Sequence, residues 1–446
     1  MVSLAAGRRV VLFLAGIAAV GLGAGGAVVA GDPPPVGRTL KGDPSNYRSL
    51  LRTLRAGDQL VLAPGTYLEG LPIHGIVGAP GRPVTIEGAA GPSPVVFLGH
   101  RGANTVSIVN AAHVTVRNLR LDGLGLGVDA VKCEGHADWA HHISLEGLVI
   151  VNHGDDQQTV GISTKCPAWG WLVRGNTILG AGTGMYFGSS DGTAPFFASV
   201  IERNLVVNPL GYALQIKHQT SRPILDGMPS EPSQTIIRRN RFVKSEGAST
   251  GELARPSVLV GHFPLAGSGA TDYYVICGNV FYDNPTEALL QGEGNIALYS
   301  NLFVNQRGDA IHIQPHNHLP RSIFVFQNTV LASGIGISVT GGEPGYRRYV
   351  GRNAVFAAEP IRGEPEGTNR VAALAQAERD LVLPFAEPVQ SDFSPRGGAL
   401  KSSASLPEDV RRFPDWDKDL QGLTRLGSVA GACRSRTAGT GQAPCR

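Results

Sequence analysis

Leu172-Val-Arg-Gly-Asn176-Thr-Ile-Leu179 is answered by Ile201-Glu-Arg-Asn204-Leu-Val-Val207 and Ile237-Arg-Arg-Asn240-Arg-Phe-Val243. The frame returns around Asn279, Asn301, Asn328 and Asn353, and further upstream around Asn118 and Gly147. Successive positions lie 22 to 39 residues apart. Each unit is an apolar run, Asn or Gly, a second apolar run and a break rich in Gly, Asn or Asp. Self-similarity at this period marks a coil repeat. A strand pair with a fixed turn cannot bury its face alone, so the units must stack. The Asn side chain then bonds the turn backbone and the Asn above and below it, forming a ladder. These asparagines are structural expectations, not catalytic ones.

The pattern resembles the right-handed parallel β-helix superfamily, which includes pectate, alginate and chondroitin lyases and polyuronate epimerases. The resemblance covers about Leu51 to Pro360. The phrase Gly57-Asp-Gln-Leu-Val-Leu-Ala-Pro-Gly-Thr-Tyr67, with Gly81-Arg-Pro-Val-Thr-Ile-Glu-Gly88, resembles the opening coils of polysaccharide lyase family 6. That implies an all-β solenoid, and a secreted protein acting on or binding a polysaccharide. The Asn-Gly-x-His-Glu stretch of those lyases is absent from this chain.

Bulk properties agree with a solenoid. The chain has 446 residues with 59 glycines and 17% charged residues, which suits many tight turns. A net charge of +3 is too small to predict nucleic-acid binding. Arg8 and Arg9 precede an apolar stretch ending in Val28-Val29-Ala30, so residues 1–30 read as a signal peptide. The mature chain is expected outside the cytoplasm, off the membrane and as a monomer. Residues 31–42 read as a linker, 43–365 as the β-helix with its N-terminal cap, and 366–446 as a C-terminal cap and loose tail. Ser45 and the following Tyr-Arg-Ser-Leu-Leu segment read as a capped helix over the open end of the core. Five cysteines allow Cys433–Cys445 and Cys133–Cys166 bridges, with Cys277 left over.

A second strand aligns on a small residue: Ala130, Gly161, Gly184, Ala213, Ser257, Ala288, Ala310, Gly336. Its second and fourth positions point inward, its third and fifth outward. The third column reads Lys132, Ser163, Tyr186, Gln215, Leu259, Leu290, His312, Ser338. The fifth reads Glu134, Lys165, Gly188, Lys217, Gly261, Gly292, Gln314, Thr340. With His218, His262 and Arg222 nearby, the wall suits an extended anionic polymer such as an acidic polysaccharide. The residues nominated for substrate binding are Lys132, Lys165, Tyr186, Gln215, His262, His312 and Gln314.

If the polymer is a uronate, β-elimination or C5 epimerisation needs a base at C5 and a cation on the carboxylate. Lys217 is the expected base, Arg222 the neutraliser and His218 an acid or substrate contact. His312, His316 and His318 form a weak metal candidate. Asp155-Asp156 offers oxygens of the kind calcium takes, or forms a turn. Trp139, Trp169 and Trp171 either stack sugars or cover a loop. A glycoside hydrolase needs two facing carboxylates, for which Glu134 and Glu293 are the material. A non-catalytic binding or scaffold protein is the remaining alternative.

Overall fold

Alternating Val, Ile and Leu give each strand one apolar side, and each coil buries it against the coils beside it. The computed structural model describes residues 37–245, 247–363, 366–386, 390–425, 429–434 and 444–446. It is a right-handed parallel β-helix with three strands in a typical coil. The first face runs from Thr39–Gly42 through Val84–Gly88, Ala111–Arg117 and Ala140–Glu146 to Arg348–Gly351. The second begins just past the turn, as in Arg120–Asp122, Val149–Val151 and Thr177–Leu179. The third carries Val131–Cys133, Val160–Thr164, Thr183–Phe187, Leu214–Ile216 and Val258–Val260. Inward rows are dry: from Ile86 to Val325, one first-face row is fully buried in coil after coil.

The asparagine ladder is present. The Leu148 N–H donates to Asn176 Oδ1, and Asn176 N and Nδ2 both donate to Asn204 Oδ1 at 3.0 and 2.9 Å. The same pair of hydrogen bonds links Asn204 to Asn240, Asn240 to Asn279, and so on to Asn353. It continues one rung further, to Asn369, which the sequence frame did not include. Each Nδ2 also reaches a strand carbonyl of the preceding coil, as Asn240 does to Ile201 O. These are buried amides with both ends satisfied, which is what permits Asn in a core.

Two positions in the frame need correcting. Asn118 and Gly147 stack with Gly175, Arg203 and Arg239, one residue before the ladder. From Asn118 to Arg352 that place is left-handed in each coil, with φ of 57° at Asn118 and 62° at Gly147. Asn and Gly tolerate this conformation best. The ladder place itself holds the buried Leu119 and Leu148 in these coils. The two places are adjacent and both favour Asn, so the frame slipped by one.

Other expectations shift at the ends. Residues 39–42, assigned to the linker, form the first strand on Gln59–Leu62. The capping helix is Tyr47–Leu51, with Asn46 rather than Ser45 at its start and no side-chain cap. Its Tyr47 and Leu51 are buried on the end of the core, Tyr47 edge-on to Tyr67 at 5.1 Å. The C-terminal cap expected from residue 366 onward opens with a strand Arg370–Ala372 before a short helix Ala377–Asp380. The C-terminal segment packs on the outside of the last coils. Val410 and Phe413 cover Tyr299, Phe324 and Phe326. Leu400, Leu420 and Cys433 cover Leu302, Leu331 and Phe356. This is why Ile296–Tyr299 and Ile323–Phe326 are buried on both sides.

Cys433 and Cys445 are bonded, as expected, and the loose tail expected between them lies mostly outside the described residues. Cys133 and Cys166 are both free and buried, against the expected bridge. Cys133 fills an inward place of the third face and packs as a small apolar residue. The signal-peptide segment lies outside the described residues. Among the described residues no helix is long and apolar enough to cross a membrane.

Candidate functional site

The third face brings the outward columns into register. Lys132, Ser163, Tyr186, Gln215 and Leu259 are successive partners. The next coil contributes Gln291, not Leu290, and then His312 and Ser338 follow. The slip arises because Leu289 and Leu290 are both fully buried, so the apolar alternation there is ambiguous. It places Glu293, rather than Gly292, in the fifth column.

A cavity of about 400 Å³ opens along this wall. Lys132, Lys165, Tyr186 and Gln215, all nominated for substrate binding, line it together with Asp129, Gln157, Gln158, Tyr212 and Arg255. Asp129 and Tyr212 directly precede the aligned small residues, so a further column was present in the alignment. Arg255 belongs to the long insertion between Asn240 and Asn279. It reaches the wall because the two edge loops meet: Gln157 Nε2 donates to Leu253 O at 3.0 Å. Loops grafted on one edge of a rigid scaffold commonly build a site.

The Lys165 ammonium lies 3.3 Å over the centre of the Tyr186 ring, a cation–π contact. Burial, with repulsion from Lys132 and Lys217, outweighs attraction to Asp129 and brings Lys165 down to about 8 from 10.5. Lys217 is lowered too, by burial, partly offset by Glu293. Burial raises Tyr186, which therefore keeps its proton at neutral pH. Asp129 is engaged in holding the wall: its carboxylate accepts from Val160 N and Ser163 Oγ and lies 3.5 Å from Lys132.

The remaining nominated residues do not converge on this cavity. Arg222, the expected neutraliser, has a side chain only 1% exposed, bonded to Asp272 at 2.7 Å and lying over the Phe197 ring. It is a structural ion pair. Arg222→Ala should strand the buried Asp272 carboxylate and cost about 3–5 kcal/mol in chemical denaturation. Arg222→Lys should recover part of that loss. His218 is half-buried with its ring against Gly192. His262 is buried, with Nε2 3.2 Å from Leu319 O. His312 pairs with Asp309 at 3.0 Å, and with Gln314 it extends the wall three coils beyond Gln215. His316 and His318 donate their backbone N–H groups to Glu293 Oε2, and among the described residues the three imidazoles are not gathered within ligand distance of one another. Asp156 Oδ1 accepts from Gln158 N and Thr159 N, which is an Asx turn and leaves that oxygen occupied. Trp169 and Trp171 are buried and cover the coils, while Trp139 is half-exposed.

A hydrolase pair is not supported by Glu134 and Glu293. They stand five coils apart in one column, about 24 Å at ~4.8 Å per coil. Hydrolases of either stereochemistry need their carboxyls within about 10 Å. Both are also committed, Glu134 to Asn104 and Ser107, Glu293 to the turn at 316–318.

No family model matches the chain, and no curated protein matches it. Solved structures do. An alginate lyase from Paenibacillus sp. str. FPU-7 is 16% identical, covering 75% of this chain and 99% of its own, with a TM-score of 0.40. Pectate lyase Pel9A is 13% identical, covering 90% and 97%, with a TM-score of 0.44. The GH136 lacto-N-biosidase from Eubacterium ramulus is 11% identical, covering 75% and 68%, with a TM-score of 0.39.

Proposed function

We propose that this chain binds an acidic polysaccharide along its third face and removes the C5 proton of a uronate residue with Lys165. The outcome is chain cleavage by β-elimination or inversion at C5. The observation that carries this reading is Lys165 itself: a desolvated amine tuned to about 8, set in a polar cavity beside further cations. A general base works best with a pKa near the operating pH. Lys132 and Arg255 line the same cavity and take the role first expected of Arg222, neutralising the uronate carboxylate as charge builds on it. In elimination the base takes the C5 proton, the C4–O bond breaks, and the leaving oxygen takes a proton from Tyr186. Lys217, two coils along, binds the next acidic residue of the chain.

We place the mature protein outside the cytoplasm, on the strength of the export-signal reading of residues 1–30. The reading is tested on a panel of polyuronates. An unsaturated product, seen by ultraviolet absorbance, marks elimination. A changed uronate ratio without shortening marks epimerisation. Saturable binding with neither product supports the second reading, a polysaccharide-binding protein without turnover. The commitment of Arg222 to Asp272 is the observation that favours that alternative.

A further inference from the structure

On the first face, away from the groove, three histidines come together. His113 lies in the strand Ala111–Arg117, and His141 and His142 in Ala140–Glu146 on the next coil. One ring nitrogen from each lies within 4.8 Å of the other two. His141 Nδ1 and His142 Nδ1 are 2.8 Å apart. The His113 and His142 rings stack at 4.5 Å, and His141 meets His113 edge-on at 5.5 Å. Among the described residues this is the one such cluster of His, Cys, Asp or Glu.

The packing explains His141 but not its two neighbours. His141 continues an aromatic column, stacked on Trp169 at 4.6 Å, which in turn faces Phe197. His113 and His142 instead occupy a left-handed backbone place, with φ of 51° and 52°. In the next two coils that place holds Gly170 and Ala198. Nothing in the fold there demands an imidazole, and the side chain that fits most easily is none. Two successive coils nonetheless put histidine beside His141.

We propose that His113, His141 and His142 form a binding site for a divalent transition-metal ion of the zinc, copper and nickel class. Imidazole suits these ions. Metal–nitrogen bonds of about 2.0–2.1 Å in tetrahedral geometry set nitrogens about 3.4 Å apart. The His141–His142 nitrogen spacing of 2.8 Å is shorter than that and every pair lies within 4.8 Å, so ring rotation brings the set to it. Three protein ligands leave a fourth position open.

The test uses the untagged full chain, stripped with a chelator and dialysed. Zn²⁺ is titrated by calorimetry, and Cu²⁺ by tryptophan emission, since Trp139 and Trp169 flank His141. One equivalent of Zn²⁺ is expected at micromolar or tighter affinity. Cu²⁺ is expected to quench emission with the same stoichiometry. His142→Gly copies the residue of the next coil and should keep the fold. It is expected to weaken binding at least about tenfold. The double variant His113→Gly/His142→Gly should abolish it, with the metal-free unfolding midpoint as control. Absent or non-saturating binding overturns the proposal. So does an affinity in the double variant within tenfold of the parent, because the ion would then sit elsewhere.

Discussion

Lys165→Ala is expected to lower turnover of the productive polyuronate by about 10²–10⁴-fold, the usual contribution of a positioned base. The fold should survive, because Lys165 is partly exposed on an outward column and its loss frees only one face of the Tyr186 ring. The pH dependence follows from the same group. A lysine acts as a base only when neutral, and burial brings Lys165 down to about 8. The free-enzyme profile of kcat/KM should therefore rise with pH and level off above about 8. Lys165→Arg should remove this rising limb along with most of the activity, since guanidinium stays protonated throughout. A profile still bending near 8 in either variant would assign the base elsewhere, with Lys217 the next candidate.

The second large effect is structural. Asn240→Ala should destabilise the protein by about 3–5 kcal/mol, read from urea denaturation. Asn240 is fully buried, and its loss removes a partner from four groups: Asn204 N, Asn204 Nδ2, Ile201 O and Asn279 Oδ1. Asn240→Leu restores volume but none of those bonds, so it should remain well below the parent. Asn118→Gly is the matched control. It sits at the left-handed place that Gly147 and Gly175 occupy in the next coils, and should change stability by less than about 0.5 kcal/mol. A large loss at Asn118 with little at Asn240 would reverse the assignment of the ladder.

The repeat and the outward wall were legible because their signals are local. An inward–outward alternation with a period of two survives in nearly every coil, and it alone puts Lys132, Lys165, Tyr186 and Gln215 on one wall. It failed where the local signal is degenerate. Leu289 and Leu290 are both buried, and Asn suits both the ladder and the turn before it. Contacts made at long range left no trace in the pattern. Arg222 looked like a free cation because its partner, Asp272, lies fifty residues away. Nothing local marks Arg255 as a groove residue, because the contact beside it that joins the two edge loops, Gln157 to Leu253, spans 96 residues. The role of Glu293 as the anchor of the turn at 316–318 was hidden for the same reason.

Elimination and epimerisation share one step, loss of the C5 proton, so a measurement of that step tests the account without choosing between them. A polyuronate tritiated at C5 is incubated with the protein, and label released into water is counted. Release by the parent chain, reduced about a hundredfold or more by Lys165→Ala, is the expected result. No release from any polyuronate that the groove binds, or release unchanged in Lys165→Ala, would contradict it.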